Sequence, residues 1–360
     1  MSKLLRTRPQ GQAFSGFSLV ELMVGMSIGL LGMVVIMQVY SVTESAKQTT
    51  TSGGDAQQSG SLGLHSVERD LRMAGYGINA SGFLGCTVKA YKEGSGEFQL
   101  TFAPVIITQG AGNLPDTITV TYSNNSLISA PASITQNMPS PAATYKVNNR
   151  YGFKEGDLVI AAEAGKDCTL AQVTGVPSTT GQSDNVIHNS GNYTDANGNN
   201  VPAVYNKPSG LGISYTTSAK LYNLGPLPIN NTYQITNNAL VMSSSLTGTT
   251  EAIVENIVDL QALYGIDTNG DNAIDVYQTS ADSDSSGTVS DTEWGRVLAI
   301  RIGLVARSTK REPSCDVTTT VPTWQGGTFN NITANAEWQC YRYRVYDTTT
   351  MLRNMIWKPT

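Results

Sequence analysis

The stretch Gly16-Phe17-Ser18-Leu19-Val20-Glu21-Leu22 opens an apolar run that continues to Met37. Within residues 9–43, Glu21 is the only charged residue. Three basic residues precede the run, namely Lys3, Arg6 and Arg8. A basic start followed by about twenty mostly apolar residues predicts a membrane-inserted helix with its basic end in the cytoplasm. Because an unpaired carboxylate in lipid costs several kcal/mol, we expect Glu21 to have a partner.

The same stretch resembles the prepilin peptidase motif of type IV pilins and of type II secretion pseudopilins. By this resemblance, prepilin peptidase cuts after Gly16 and leaves Phe17 as the new, N-methylated N-terminal residue. Glu21 corresponds to the glutamate at the fifth position of the processed chain. In the family this glutamate faces the cationic N-terminal amine of a neighbouring subunit, and the pairing offsets the cost of burying both charges.

Three other kinds of N-terminal segment fit the sequence less well. A secretory signal peptide ends in small residues after its apolar core, whereas here Glu44 lies two residues before Ala46. A lipoprotein signal needs a cysteine at that place, and the first cysteine is Cys86. A plain membrane anchor fits the length and the flanks but gives no reason for Glu21.

A second, amphipathic helical segment follows the apolar one. Four apolar residues recur there at spacings of three and four, which predicts one buried helical face: Leu64, Val67, Leu71 and Ala74. Glu68 and Arg72 have the spacing of an exposed ion pair. Gly53 and Gly54 weaken a helix, so we expect a kink or a melted turn there. The helix is predicted to end near Gly75 or Gly77.

Beyond the helix, short β-type runs alternate with clusters of Gly, Pro, Asn and Asp. The predicted strands are Gln99–Ile107, Thr117–Ser123, Asp157–Ala162, Leu211–Thr217, Thr232–Thr236, Val297–Arg307 and Gln339–Tyr346. Residues 124–150 and 179–210 are expected to be long surface loops. The predicted class is α+β, a long N-terminal helix packed on an antiparallel β-sheet head. The predicted segments are a leader at 1–16, an apolar half-helix at 17–40, an amphipathic half-helix at 41–76 and a head at 77–360.

Four segments resemble the PilW family of type IV minor pilins: residues 67–77, 254–267, 294–308 and 351–355. The resemblance implies a minor pilin that takes part in type IV pilus assembly or initiation. The large head on one helix favours a place at the filament tip, because its bulk blocks lateral repetition along the shaft. Other minor pilins, the major pilin and a tip adhesin are the implied partners. The implied location is a single pass through the inner membrane with the head in the periplasm, and later the extracellular pilus. The alternative is the J-type pseudopilin of a type II secretion system, which shares the N-terminal features and residues 67–77.

Composition argues against several other functions. The chain has a formal net charge of −5, so a broad basic surface for nucleic acid is not expected. Its only histidines are His65 and His188, which leaves little room for histidine-based catalysis. The sequence has no H-E-x-x-H or Walker motif. We therefore expect no enzymatic activity.

The four cysteines lie after the apolar helix, on the side that the topology places in an oxidising compartment. They are Cys86, Cys168, Cys315 and Cys340, and none forms a C-x-x-C pair. Two disulfides are expected, with three pairings open. Order along the chain favours Cys86 with Cys168 and Cys315 with Cys340.

Residues 267–293 carry seven acidic side chains and no Lys or Arg, so a bound cation would offset their mutual repulsion. The residues at positions 1, 3, 5, 7 and 12 of a calcium loop are Asp282, Asp284, Ser286, Thr288 and Glu293, with Gly287 at position 6. An earlier and weaker match consists of Asp267, Asn269, Asp271 and Asp275, which lacks the glycine. Calcium is the expected ion. The flanks are predicted to be strand or loop, not the two helices of an EF-hand.

Overall fold

The computed structural model describes residues 16–78, 82–112, 114–127, 130–178 and 184–356. The chain divides into two compact units, Met1–Ser52 and Gly53–Thr360. The leader predicted at 1–16 lies outside the described residues, apart from Gly16.

Three helices have the bounds α1 (Leu19–Met73), α2 (Asp291–Arg296) and α3 (Arg353–Ile356). The strands are β1 (Thr87–Lys92), β2 (Gly96–Thr101), β3 (Val105–Thr108), β4 (Thr117–Tyr122), β5 (Ala132–Ser133), β6 (Tyr145–Lys146), β7 (Leu158–Ala162), β8 (Cys168–Gln172), β9 (Asn185–Val186), β10 (Asn192–Thr194), β11 (Asn200–Pro202), β12 (Lys220–Gly225), β13 (Ile229–Thr236), β14 (Ala239–Ser244), β15 (Thr250–Glu255), β16 (Ile257–Ile266), β17 (Val276–Gln278), β18 (Val297–Arg307), β19 (Thr323–Trp324), β20 (Gly327–Thr328) and β21 (Tyr343–Met351). Two short 3₁₀ helices cover Asn330–Ala334 and Trp338–Cys340. These elements confirm the predicted α+β class.

Helix α1 begins just after Ser18 and ends at Met73. It continues through Gly53 and Gly54, so the melted turn considered for that place is absent. In the part of α1 that belongs to the first unit of the chain, the large apolar side chains are exposed all around the helix. That pattern is typical of a helix whose surroundings are lipid or other helices.

Three sheets make up most of the second unit. Their strand orders are β2-β1-β8-β7-β12-β5, β15-β14-β13-β4-β3 and β17-β16-β18-β21. The pairing of β1 with β8 is parallel, and the other pairings in these sheets are antiparallel. The antiparallel head predicted from the short, turn-separated runs is therefore present.

Strand β7 is buried on both faces and separates two hydrophobic cores. Leu158 and Ile160 belong to the main core, whereas Val159 and Ala161 belong to a second core. Alternation of side chains across a strand explains this division. A third small core lies against Val305 of β18 and contains Phe329 and Ile332.

Several local predictions were wrong because tertiary contacts decide them. Residues 211–217 form no strand, although Tyr215 is buried, and residues 339–340 belong to a 3₁₀ helix. The described parts of 124–150 and 179–210 are not simply surface loops. They contain short strands and contribute Ile134, Tyr145 and Val186 to the second core. Their polar composition concealed this burial. By contrast, Val297–Arg307 forms a strand with the predicted bounds.

The last turns of α1 pack on the sheets through the predicted apolar face. Val67, Leu71 and Ala74 are fully buried in the main core, and Leu64 packs at its edge. Burial of each large aliphatic side chain contributes about 1.5–3 kcal/mol. Two glycines on this helix allow close approach. A Cβ at Gly63 would lie 3.2 Å from Val254, and one at Gly60 would overlap the ring of Tyr346.

Asp70 fixes the same part of α1 by hydrogen bonds. Its carboxylate is buried and accepts from the Tyr233 hydroxyl at 2.7 Å, the Asn231 amide at 3.0 Å and the Tyr122 hydroxyl at 3.2 Å. Arg69 adds an ion pair at 3.4 Å. The acceptor lies on the helix, and three of the donors lie on β4 and β13. The network therefore sets the rotation and the register of the helix over that sheet.

A buried carboxylate with an incomplete set of partners lies on β16. Asp259 is fully buried, and its Oδ1 accepts from Gln261 Nε2 at 2.9 Å. Its Oδ2 has no partner among the described residues. Burial, followed by the charge of nearby Asp116, raises the pKa of Asp259 to about 6. The ionised form therefore costs stability at neutral pH.

We predict that Gly60→Ala destabilises the head and that Gly54→Ala does not. The added methyl at Gly60 displaces the Tyr346 ring and strains its 2.9 Å hydrogen bond to the Gln57 carbonyl, with an expected loss of about 1–3 kcal/mol. A methyl added at Gly54 would have no atom within 4 Å, so alanine there raises helix stability by about 0.5–1 kcal/mol. Chemical denaturation of the two variants measures both values, and equal gains would contradict this packing.

We predict that Asp259→Asn stabilises the head at neutral pH. Since the folded-state pKa of Asp259 is about 6 and the unfolded value is about 3.9, wild-type stability falls as pH rises between these values. The asparagine removes that loss, with an expected gain on the order of 1–3 kcal/mol at about pH 7.5. The gain should vanish near pH 4. Denaturation at several pH values tests it, and a gain independent of pH would contradict the titration of this group.

Candidate functional sites

The residues of the predicted processing motif lie at the start of α1. Gly16 and Phe17 precede the helix, and the Phe17 side chain is exposed. Glu21 lies in the first turn, where its carboxylate accepts from the backbone N–H of Ser18 at 3.5 Å. This long contact is a local capping interaction. It leaves the carboxylate exposed and able to take a stronger cationic partner.

One described helix, α1, is long and apolar enough in its N-terminal part to cross a membrane. This property fits a single-pass anchor. It rests on length and composition, and the same property is found in signal sequences.

The structure contains the two disulfides that the order of the cysteines favours. Cys86 bonds Cys168 across the parallel pair β1 and β8, and Cys315 bonds Cys340. The bonds close loops with sequence separations of 82 and 25 residues. In the loop-entropy description they are worth about 4.5 and about 3.5 kcal/mol. Disulfide crosslinks of this kind suit the head, because much of the backbone in its middle part lies outside regular helices and strands.

The second acidic loop, residues 282–293, is called here the Asp282 loop. Carboxylate oxygens of Asp282, Asp284 and Glu293 lie within 4.8 Å of one another. Gly287 at position 6 has a φ of +85°, the left-handed conformation that the sharp turn requires. The spacing in the sequence therefore does bring three of the predicted ligand side chains together. The Ser286 hydroxyl instead donates to the Thr288 carbonyl at 2.9 Å.

Glu293 is the most strongly held residue of the Asp282 loop. Its Oε1 accepts from the backbone N–H and the hydroxyl of Ser283 at 2.7 and 2.9 Å, and its Oε2 from those of Ser290 at 2.8 Å each. These bonds, the backbone bond from Ser290 first, lower the pKa of Glu293 to about 2. The carboxylate is ionised at any physiological pH, and a cation would compete with its present donors.

The first acidic loop, residues 267–278, is called here the Asp267 loop and has a different arrangement. Asp267 accepts from the backbone N–H groups of Asn269, Gly270 and Asn272 at 3.2, 2.6 and 2.8 Å. Asp275 accepts from Thr268. In the part of the chain that the structure describes, these carboxylates form no convergent group like that of the Asp282 loop. Asn272 takes the left-handed conformation at position 6, with a φ of +64°, so the missing glycine is not an obstacle there.

Helix α2 begins inside the Asp282 loop and was not predicted from the sequence. Ser290 is its N-cap, and Glu293 completes a capping box with it. Asp291 then accepts from the backbone N–H groups of Gly82 and Leu84 at 2.8 Å each. The loop is therefore tied to the start of the head. The pattern Ser290-x-x-Glu293 was the available signal for this helix.

Comparison with known proteins gives one match. A family model described as PilW, Type IV Pilus-assembly protein W, matches residues 230–354, about a third of the chain. No curated protein matches, and no solved structure matches. The matched region contains β14–β21 and all but the first residue of β13, so it includes the whole sheet β17-β16-β18-β21. The match confirms the predicted resemblance to the PilW family and supports a part in type IV pilus assembly.

Proposed function

We propose that this chain is a minor pilin that enters the type IV pilus machinery after removal of its leader. Prepilin peptidase cuts between Gly16 and Phe17, and the apolar half of α1 anchors the chain in the inner membrane with the head in the periplasm. The PilW match over residues 230–354 is the observation that carries this proposal. The apolar start of α1, with Glu21 as its single charge, supports it.

In this proposal Glu21 pairs with the amine of Phe17 on a neighbouring pilin. Both charges would be buried in a bundle of apolar helices, where an uncompensated charge costs several kcal/mol. A charge pair of this kind adds little net stability but allows only one axial register between helices. Cleavage is required because it creates the amine at Phe17.

We place the subunit at the filament tip, together with other minor pilins, the major pilin and a tip adhesin. The head extends over residues 77–360, and a body of that size on one helix hinders lateral repetition along a shaft. A subunit at the end of the filament has filament neighbours on one side only, so its large head is hindered on that side alone. The proposed role is assembly or initiation and needs no catalytic group.

We predict that Glu21→Ala is processed normally but enters filaments poorly. The variant keeps Gly16 and Phe17 for the peptidase and loses the partner of the new amine. Mass spectrometry of the membrane-extracted chain measures processing, and immunoblots of sheared pili measure incorporation. Gly16→Val is the matched variant, expected to keep its leader. Wild-type incorporation of the Glu21 variant would exclude the pairing role.

A deletion strain distinguishes the pilus from the secretion alternative. Deletion of the chain should reduce surface pili and twitching and leave secreted enzymes unchanged. Lost secretion with normal pili would instead identify a J-type pseudopilin of a type II secretion system.

We also propose that the Asp282 loop binds calcium. The convergence of Asp282, Asp284 and Glu293 supports this, as does the absence of Lys and Arg from residues 267–293. Hard oxygen donors at positions 1, 3 and 12 are the ligands that calcium prefers. The Asp267 loop has the weaker case, because its carboxylates do not converge.

We predict that calcium raises the unfolding temperature of the wild-type chain and that EDTA reverses the rise. At a hundredfold excess over Kd the stabilisation is about 2.7 kcal/mol. Asp284→Asn should abolish the response, because it removes one of the three converging carboxylates. The fold should be unaffected, since Asp284 is exposed and has few structural contacts. Asp271→Asn tests the Asp267 loop, and Glu251→Gln, an exposed charge on β15, is the control. No response to calcium or EDTA in the wild type would end the proposal.

A further inference from the structure

A cavity of about 370 Å³ lies where the end of β18 meets the 3₁₀ helix at Asn330–Ala334. We call it the Arg307 pocket. Among its lining residues are Arg307, Asn238, Asn331, Asn335, Tyr343 and Ile332. Its volume falls in the range of about 300–1,000 Å³ that small-molecule sites occupy. Its lining contains no residue of the processing motif or of either acidic loop.

Arg307 is a cation without a carboxylate partner among the described residues. By contrast, Arg311 pairs with Glu337 at 3.1 Å, and Arg342, the residue before Tyr343, pairs with Glu312 at 3.0 Å. The Arg307 guanidinium instead stacks on Tyr341, with Cζ 4.4 Å from the ring centroid. Stacking uses the flat face of the group and leaves its N–H donors at the edge for a planar anion.

The asparagines of the pocket offer both donors and acceptors. Asn331 Nδ2 donates to the Val258 carbonyl at 3.3 Å, and Asn335 Oδ1 accepts from the backbone N–H of Glu337 at 3.0 Å. Within the described part of the chain, the Asn331 oxygen and the Asn335 nitrogen have no partner. A ligand hydroxyl, which donates and accepts, suits such a mixed pair.

The remaining wall adds a protonated hydroxyl and an apolar surface. The Tyr343 hydroxyl is protonated at neutral pH, as any tyrosine is, and can donate. Ile332 is almost fully buried and presents hydrocarbon beside the polar groups. One cation, several amides and one apolar side chain together match a compact ligand that carries a carboxylate, hydroxyls and C–H faces.

We propose that the Arg307 pocket binds an acidic sugar of the uronic acid type, with its carboxylate on Arg307 and its hydroxyls on the asparagine amides. A phosphate ion has no C–H face for Ile332, and an isolated carboxylate such as acetate has no hydroxyl donor for the amide oxygens. General attraction of anions is also weak, because the chain carries a formal charge of −5. Recognition therefore depends on specific contacts within the pocket.

The test is ligand titration of the full-length, detergent-solubilised chain by calorimetry or ligand-observed NMR. Glucuronate and galacturonate are the probes, with glucose, acetate and inorganic phosphate as comparisons. We expect at least one uronate to bind, and to bind more tightly than any of the three comparisons. Arg307→Gln should weaken that binding by on the order of tenfold to a hundredfold, the usual worth of a hydrogen-bonded charge. Arg307→Lys keeps the charge but loses the forked guanidinium, so its uronate affinity should lie between those of the wild type and Arg307→Gln.

Two further variants make the result independent of folding defects. Arg344→Gln removes an exposed charge from β21, beside the strand of Arg307, and should bind like the wild type. Asn335→Asp keeps the acceptor for the Glu337 N–H and adds a repelling charge, so it should weaken uronate binding. Absence of uronate binding, equal binding by Arg307→Gln and wild type, or equal affinity for acetate or phosphate would each overturn the proposal.

Discussion

The head depends on the way in which one short stretch of helix is held against its sheets. The last turns of the helix from Gly60, with Ala74 just beyond its end, offer glycines for close approach, an apolar face for the main core and the buried carboxylate of Asp70. The apolar face supplies most of the free energy, because burial scales with area. The carboxylate of Asp70 fixes the rotation and the register of the helix over the sheet. A buried charge that loses its donors costs about 3–5 kcal/mol, so only one rotation of the helix satisfies Asp70.

This arrangement also explains the composition of α1. Residues 19–40 of α1 are mostly apolar around the whole circumference, whereas the last turns of the helix carry one apolar face and a polar remainder. The first pattern suits surroundings of lipid or neighbouring helices, and the second suits a helix half-covered by a folded domain. The exposed pair of Glu68 and Arg72, at 2.6 Å, lies on the polar side and adds little stability. The buried contacts, not the surface charges, therefore decide where the helix meets the head.

The sequence predicted those features that rest on local periodicity. The face of Val67, Leu71 and Ala74 follows from spacings of three and four residues, and the strand Val297–Arg307 follows from a nearly continuous apolar run. Asp70 was missed for the opposite reason. It lies between Arg69 and Arg72, as a solvated charge on a helix would, and its partners on β4 and β13 are far away in the chain. The second core was missed in the same way, since Tyr145 and Val186 stand among Asn, Ser and Gly.

The Asp282 loop shows a competition that spacing alone does not reveal. Glu293 is at once the residue that would close a calcium site and the residue that caps α2 through Ser290. The hydrogen bonds that cap the helix already offset part of the charge that a cation would otherwise stabilise. Because α2 also carries Asp291, which holds the backbone at Gly82 and Leu84, a change in the position of Glu293 is passed to the start of the head. An ion at this loop would therefore act on the rigidity of that junction as well as on the loop itself.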